Sequence, residues 1–238
     1  MDAGNRDRKE LKILLMGDSA VEVEFGQKID PEISRQVLKF RDKVEQSEIT
    51  GITETIPAYC TLTICYDPLR ITYGQLCHAL NKLYREEEPG AENQCAGRLV
   101  RIPVCYGGEY GPDLEAVADI HGLTAQEVIR IHTEPEYPVY MLGFIAGFPY
   151  LGGMDERLET PRLEIPRTAI AGGSVGIAGK QTGIYPVESP GGWRLIGRTP
   201  LKLYDPEREP VSLLRAGDRV KFVQISASEF ELIRKGKD

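Results

Sequence analysis

The stretch that decides the fold lies within residues 137–205, where the chain reads MLGFIAGFPYLGG (141–153) and GGSVGIAGKQTGIYPVESPGGWRLIG (172–197). Twelve of the 25 glycines of the chain fall between Gly143 and Gly197, beside prolines and aromatic side chains. Glycine permits positive φ and close approach of two backbones, whereas a flexible linker would lack the rings. Short apolar runs separated by Gly and Pro are typical of a closed or nearly closed β-barrel. We therefore predict a barrel around a groove in this half of the chain.

The first half of the chain has a different pattern, in which two pairs of strands are each followed by a helix. The predicted strands are Leu11–Met16, Ala20–Phe25, Ile52–Ile56 and Thr61–Tyr66. Asp30 followed by Pro31 predicts the start of the first helix, which we expect to be stopped by Gly51. Thr72 and Gln75 predict a capping box at the start of the second helix. The order ββαββα indicates an α+β sandwich with both helices on one face of an antiparallel sheet.

A polar segment at residues 86–97 separates the two halves. We predict an N-terminal α+β domain at residues 1–92 and a C-terminal β-barrel domain at residues 93–238. Further elements are predicted in the second domain: a strand ending at Tyr106, helices beginning at Pro112 and Thr124, and a hairpin turn at residues 216–218 before the strand Arg219–Ile225.

The composition argues against several classes of partner. The 238 residues carry a net charge of −7 and no block of Lys and Arg, which disfavours nucleic acid and anionic membranes. No apolar run approaches the ~18 residues of a membrane span, and the charged N-terminus lacks the apolar core of a signal peptide. The five cysteines include no CxxC pair, so we expect free thiols in a reducing cytoplasm.

The segment from Ser174 to Lys180 invites comparison with a phosphate-binding loop, but the comparison fails. That loop requires glycine at position 174, and Gln181 stands where Ser or Thr would bind the metal ion. We therefore predict a glycine-rich strand–turn–strand, whose backbone amides are still able to bind an anion.

The candidate chemical groups each have a structural alternative. Glu109 lies on a turn between a strand and a helix, where functional side chains concentrate. The structural alternative is a turn carboxylate that only interacts with a nearby helix N-terminus. His132 closes a short helix and is either functional or a cation that interacts with the last carbonyls. Arginines in the glycine-rich half bind carboxylate or phosphate in forked geometry if two of them converge, and otherwise form surface ion pairs. The aromatic side chains there are either barrel core or the wall of a cleft.

Seven strings carry a specific resemblance to a known family: GDSAVEVEFG, IPAYCTLTICYDP, IPVCYGGEYGPDL, YMLGFIAGFPYLGGMDERL, GGSVGIAGKQTGIYP, SPGGWRLIGRTPL and AGDRVKF. With them, the chain from Leu11 to Ile225 resembles the family of the B subunit of 5-oxoprolinase. That family also contains the sporulation kinase inhibitor KipI and the domain called allophanate hydrolase subunit 1. Ala146 stands where the family has proline, and Ala171-Gly172 replaces Pro-Ala. Both departures lie at loops beside the expected groove.

The resemblance implies a cyclophilin-like β-barrel as the second domain and an enzymatic function. Family members act with two further proteins, the cyclophilin-like C subunit and the A subunit of 5-oxoprolinase, to open 5-oxoproline (pyroglutamate) to glutamate at the expense of ATP. We expect Mg²⁺ only as a companion of the nucleotide, no tightly bound cofactor, and no activity of this chain alone. From residue type and motif position we predict anion binding by Arg162, Arg167 and Arg198, proton transfer by Glu109 or His132, neutral hydrogen bonds from Ser174 and Gln181, and a groove wall of Phe144, Phe148, Tyr150, Tyr185 and Trp193.

The resemblance also implies an alternative function of a different class. KipI-like members bind the helical dimerisation region of a sensor histidine kinase and block its autophosphorylation. A cyclophilin-like groove suits an apolar, proline-containing segment of such a partner, and this function needs no catalytic residue. A shared fold does not decide between the two functions; the sequence favours the oxoprolinase function and leaves the kinase inhibitor as the alternative.

Overall fold

The computed structural model describes residues 10–86 and 97–236. These residues form two compact units, one on each side of residues 87–96. The predicted domain boundary between residues 92 and 93 lies outside the described residues. Each unit has an apolar core of its own.

The N-terminal unit is an antiparallel sheet covered by two helices, and it confirms the predicted ββαββα order. Its four strands pair in the order β1-β2-β4-β3. The core combines the inward side chains of the central strands, such as Val23 and Ile64, with Val37 and Leu80 from the helices. The elements are β1 (Lys12–Met16), β2 (Ala20–Glu24), α1 (Pro31–Gln46), β3 (Ile52–Pro57), β4 (Thr61–Tyr66) and α2 (Tyr73–Arg85).

Both helices of this unit begin where the capping residues predict. The Asp30 carboxylate accepts hydrogen bonds from the backbone of Glu32 and Ile33 at the start of α1. Thr72 and Gln75 form a reciprocal capping box at the start of α2. The predicted end of α1 at Gly51 is wrong. The helix ends at Gln46, since the next residue bonds back to the Val44 carbonyl through its amide and its hydroxyl.

The C-terminal unit confirms the predicted barrel. Seven strands close in the order β10-β7-β6-β13-β5-β12-β9, and β8 and β11 form a separate two-stranded sheet. Its strands are β5 (Leu99–Tyr106), β6 (Tyr137–Leu142), β7 (Pro149–Leu151), β8 (Arg167–Ile170), β9 (Ser174–Ala178), β10 (Gln181–Ile184), β11 (Ser189–Gly191), β12 (Arg194–Arg198) and β13 (Arg219–Ile225). Its helices are α3 (Leu114–His121), α4 (Ala125–Thr133) and α5 (Ala227–Lys235), with a 3-10 turn at Glu156–Leu158.

The last strand closes the barrel in a way that the sequence did not predict. β13 pairs in parallel with β5 over seven residues and antiparallel with the start of β6, so the predicted hairpin at residues 216–218 is wrong. The turn at residues 216–218 is instead anchored to Arg98. The buried carboxylate of Asp218 accepts hydrogen bonds from the Arg98 guanidinium at 2.6 and 3.1 Å. The start of α3 also differs from prediction, at Leu114 rather than Pro112. Helix α5 was not predicted.

The structure also bears on two expectations about the environment of the chain, namely the lack of a membrane-spanning helix and the presence of free thiols. In the part of the chain that the structure describes, no helix is both long and apolar enough to cross a bilayer. Cys60, Cys65, Cys77 and Cys105 are free thiols, and Cys95 lies outside the described residues. The cytoplasmic location stays a prediction.

Candidate site at the aromatic cluster of the barrel

Five rings of the glycine-rich half meet in one group, which we call the aromatic cluster: Phe144, Phe148, Tyr150, Tyr185 and Trp193. Phe148 lies at its centre, with ring centroids 5.3 Å from Tyr150, 5.6 Å from Tyr185, 5.5 Å from Trp193 and 5.7 Å from Phe144. All four contacts are edge-to-face, the arrangement that aromatic quadrupoles favour. The five side chains predicted as a groove wall are therefore neighbours.

The cluster has a buried floor and an exposed rim. Phe148, Tyr185 and Trp193 are almost fully buried, so they support a surface rather than form one. Gly183 makes this packing possible, because a Cβ there would lie 2.9 Å from the Phe148 ring and 3.0 Å from the Trp193 ring. Only Phe144 and Tyr150 have ring surface left to meet a ligand or a partner.

Phe144 is held in a conformation that most residues avoid. Its φ is +61°, and its side chain is 66% exposed. The left-handed region costs a non-glycine residue of order 1 kcal/mol or more. The turn is fixed by hydrogen bonds within the loop, from the Ile145 amide to the Gly143 carbonyl and from the Phe148 amide to the Ile145 carbonyl. A strained loop that presents an apolar ring to solvent is typical of a binding surface.

Two of the predicted anion-binding arginines lie at this cluster. Burial raises the pKa of the Tyr185 phenol, and the nearby positive charges of Arg162 and Arg167 oppose that rise. The Arg162 side chain is exposed, whereas Arg167 is half-buried. Arg167 contacts the cluster at the Trp193 carbonyl, and Arg162 is close enough to act electrostatically on the Tyr185 phenol.

Asp113 fixes Arg167 and was missed by the sequence analysis. One carboxylate oxygen accepts from the Arg167 guanidinium at 2.8 Å, and the other accepts from the Leu195 amide at 2.7 Å. The same guanidinium lies 3.5 Å from the Trp193 carbonyl. Asp113 directly precedes α3 but makes no side-chain cap. The missing capping bond at this helix start is the local feature that sets Asp113 apart, and it can be recognised only in the structure.

The third predicted arginine, Arg198, lies in a separate row of residues together with Ser174 and Glu109. Arg198 donates to the Gly172 carbonyl at 2.9 Å. In the barrel register it lies opposite Ser174 on one side and Cys105 on the other, and Ser174 is buried. Glu109 is exposed, and its negative charge adds to the effect of burial in raising the pKa of the Cys105 thiol. Among the described contacts, none joins this row to Arg162 or Arg167.

His132 lies inside the barrel core. It is fully buried, with Nδ1 2.8 Å from the Tyr106 hydroxyl and Nε2 2.8 Å from the Thr182 hydroxyl. Its ring centroid is 4.5 Å from that of Phe222. Burial lowers the pKa of His132 to about 3, so the imidazole is neutral at physiological pH. Both ring nitrogens are occupied within the fold, and its proton-transfer role stays a prediction.

The segment compared with a phosphate loop is a β-hairpin, as predicted. β9 and β10 pair antiparallel, with Gln181 opposite Ala178, and Gly179 and Lys180 form the turn. The Lys180 ammonium lies 3.7 Å from each of the Glu156 and Glu159 carboxylates. This lysine is therefore already compensated and the hairpin lacks the donor set of a triphosphate site. Over residues 10–86 and 97–236, no three His, Cys, Asp or Glu side chains group as metal ligands.

Sequence comparison finds known proteins that are similar to this chain. Residues 11–214 match the carboxyltransferase domain, subdomain C and D. A Bacillus subtilis protein named as the B subunit of 5-oxoprolinase is 46% identical, over 92% of this chain and 95% of its own length. A protein of the same name from Haemophilus influenzae is 42% identical, over 90% and 97%. The urea amidolyase of Lachancea kluyveri is 25% identical over 90% of this chain, which spans only 13% of that enzyme.

Several solved structures are also similar to this chain. A conserved uncharacterized protein from Pyrococcus horikoshii is 48% identical, with a TM-score of 0.56 over 92% of this chain and 99% of its own. The protein TTHA0988 is 38% identical with a TM-score of 0.77, and this chain spans 40% of its length. The urea amidolyase of K. lactis, at 22% identity and a TM-score of 0.72 over 94% of this chain, shares the fold.

Proposed function

The chain belongs to the family of the B subunit of 5-oxoprolinase, and we propose that it works as this component of an enzyme that opens 5-oxoproline to glutamate with ATP. The observation that carries the proposal is 46% identity to a protein of that name over nearly the full length of both chains. The urea amidolyase relatives are also named for breaking a C–N bond of an amide-like substrate.

The proposed contribution of this chain is to hold the anionic part of the reactants. 5-Oxoproline is a five-membered lactam with a carboxylate, and opening it adds water across the amide C–N bond while the ring nitrogen gains a proton. Arg167, fixed by Asp113 at 2.8 Å, presents a pre-oriented guanidinium, and the exposed Arg162 completes a forked site for carboxylate or phosphate. Phe144 and Tyr150 would cover the bound group and exclude stray water. Arg198, Ser174 and Gln181 are retained as predicted contacts outside this pair.

We assign ATP, and any Mg²⁺ that accompanies it, to another component of the complex. When bound there, ATP supplies the activation that a resonance-stabilised lactam needs. The β9–β10 hairpin does not fit a triphosphate, since Lys180 lies between two glutamates at 3.7 Å and Gln181 replaces the hydroxyl that a metal ion requires. For this reason we expect the chain alone to be inactive and to need the A and C subunits of 5-oxoprolinase.

Glu109 is the stronger of the two proposed proton-transfer residues. Its carboxylate is exposed on a turn at the end of β5, whereas His132 is buried and engaged through both nitrogens. A general acid or base must reach the proton that it transfers. Glu109 meets this requirement at the surface of the unit, where a partner protein can bring the reactants.

The test is reconstitution with the A and C subunits and measurement of 5-oxoproline-dependent glutamate formation. Arg162→Ala is expected to lower turnover by about 10²-fold, the scale of losing one charge-stabilising donor. Arg70→Ala is the matched control, because this exposed arginine of the N-terminal unit forms its one ion pair among the described residues with Asp67. Unchanged turnover in Arg162→Ala would remove that residue from the site. No glutamate from the wild-type complex would reject the function itself.

Inhibition of a sensor histidine kinase remains the second candidate. The exposed ring of Phe144, which stands on a strained backbone, and the 85% exposed side chain of Ile165 favour it, because an apolar surface serves binding without catalysis. The purified chain would then suppress kinase autophosphorylation at low micromolar concentration, and Phe144→Ala would relieve the inhibition. No effect of the wild-type chain at saturation would reject this candidate.

A further inference from the structure

A cavity of about 280 Å³ lies in the N-terminal unit, between one face of α1, the last turn of α2 and the end of β2. This volume is near the lower end of the range for small-molecule sites. Nothing in the proposed function uses this cavity, so the inference drawn from it stands apart from the oxoprolinase assignment.

Three rings line the cavity in mutual contact. The centroids of Phe25 and Phe40 are 5.7 Å apart, those of Phe40 and Tyr84 are 5.7 Å apart, and those of Phe25 and Tyr84 are 6.3 Å apart. Phe40 is buried, whereas Tyr84 is 39% exposed. The rings therefore offer an open apolar wall to a planar group.

Among the described residues that line it, the cavity has a surplus of positive charge. Lys39 and Lys43 lie one turn apart on the face of α1 that lines it, a spacing at which like charges repel. Within residues 10–86, neither lysine forms an ion pair with a carboxylate. Lys43 donates to the Glu86 backbone carbonyl at 2.5 Å, and Glu86 supplies the one carboxylate among the described lining residues. Two cations beside one anion leave room for a negative ligand group.

We propose that this cavity binds a small aromatic anion, with one or two fused rings and a carboxylate or phosphate. The ring packs against Phe25, Phe40 and Tyr84, and the acid group lies between Lys39 and Lys43. Rings that supply apolar area and lysines that fix the acid group match the usual division of labour in small-molecule sites.

The experiment titrates the full chain with 2-naphthoate, and with its neutral analogue 2-naphthamide, by calorimetry. We expect naphthoate to bind with a Kd of about 0.1 mM, and naphthamide roughly tenfold more weakly. Lys39→Gln/Lys43→Gln should bring both ligands to the same weak affinity, since it removes the charge and leaves the rings. Lys28→Gln, at an exposed lysine outside the cavity lining, should bind like the wild type.

A second pair of variants locates the ring. Tyr84→Ala should weaken naphthoate binding roughly tenfold. Tyr73→Ala is the matched control, because it removes an equally exposed tyrosine from the other end of α2. The proposal is overturned if naphthoate does not bind at about 5 mM, if the lysine variant keeps its preference for the acid over the amide, or if Tyr84→Ala binds as tightly as Tyr73→Ala.

Discussion

At the scale of single residues, the aromatic cluster combines buried rings that hold the barrel together with a partly exposed rim, in which Phe144 is the most exposed ring. Phe148 is 2% exposed and contacts four other rings, while Phe144 is 66% exposed and touches only Phe148 among them. Packing energy therefore concentrates in Phe148. Phe144 keeps a costly backbone conformation without a comparable gain in burial.

This difference predicts unequal losses of stability for two similar substitutions. Phe148→Ala should lower the free energy of unfolding by about 3–5 kcal/mol, since it empties a buried site. Phe144→Ala should lower it by roughly 0.5 kcal/mol, as for an exposed side chain. Urea denaturation of both variants measures the difference. Equal losses would mean that the Phe144 ring is buried in solution.

His132 makes stability depend on pH. The pKa of the folded group is lowered to about 3, whereas an unfolded histidine titrates near about 6.5. Below that pH the unfolded chain binds a proton that the folded chain does not, so this residue's effect is to make the free energy of unfolding fall as the pH falls. The slope approaches about 1.4 kcal/mol per pH unit and persists to the folded pKa.

The variant His132→Gln tests this effect, because glutamine keeps hydrogen-bonding capacity toward Tyr106 and Thr182 without titrating. The stability advantage of the wild type over the variant should shrink by about 2 kcal/mol between about pH 7 and about pH 5. Urea unfolding of both proteins across this range gives the difference. A constant difference would show that His132 titrates alike in the folded and unfolded chains.

At the scale of elements, a capping side chain marks the start of every described α-helix except α3. Three helices carry a complete capping box, namely α2, α4 and α5. In α5 the Ser226 hydroxyl and the Glu229 carboxylate bond reciprocally with the backbone, and Phe230 packs its ring 4.5 Å from that of Tyr110. Helix α5 is thus fixed at its start by a cap and along its length by one buried ring.

Ser226→Ala should weaken this helix. Loss of an N-cap costs about 1 kcal/mol, so amide hydrogen exchange in α5 should become about fivefold faster where local opening governs it. Ser228→Ala is the control, because it removes the hydroxyl that lies 3.0 Å from the Ser226 hydroxyl but leaves both bonds of the capping box in place. Equal exchange in both variants would assign the stability of α5 to Phe230 instead.

Whether a feature can be predicted from the sequence depends on how far apart in the chain its interacting residues lie. Thr72 with Gln75 and Thr124 with Glu127 are local signals, and both predicted helix starts are confirmed. Ser226 and Glu229 carry the same signal, which was overlooked. The bond from Arg167 to Asp113 spans 54 residues, and no pattern within either segment reveals it. The closure of β13 onto β5 is equally non-local, so a hairpin turn was predicted instead.

At the scale of the whole molecule, the two units have separate cores. The core residues of the N-terminal unit all lie before residue 87, and those of the barrel and the aromatic cluster all lie after residue 97. Over residues 10–86 and 97–236, neither core includes a side chain from the other unit. Each unit therefore meets the usual requirement for an independent folding domain.

A fragment of residues 97–238 should accordingly fold by itself. We expect cooperative thermal unfolding, and a near-ultraviolet circular dichroism signal from Trp193 like that of the full chain. The matched N-terminal fragment of residues 1–86 should be less stable, since small domains bury a smaller fraction of their surface. A barrel fragment that melts without a cooperative transition would show that its core needs the first unit.

The parallel pairing of β5 with β13 also determines how the barrel unit bears tension. The chain enters this pair at Leu99 and leaves it at Ile225, at opposite ends of two strands that run in the same direction. A pull on the two chain ends therefore loads the whole ladder of hydrogen bonds sideways and at once, instead of peeling them one by one. Forced unfolding is governed by the barrier to rupture. This unit should withstand stretching between its ends better than a barrel whose first and last strands pair antiparallel.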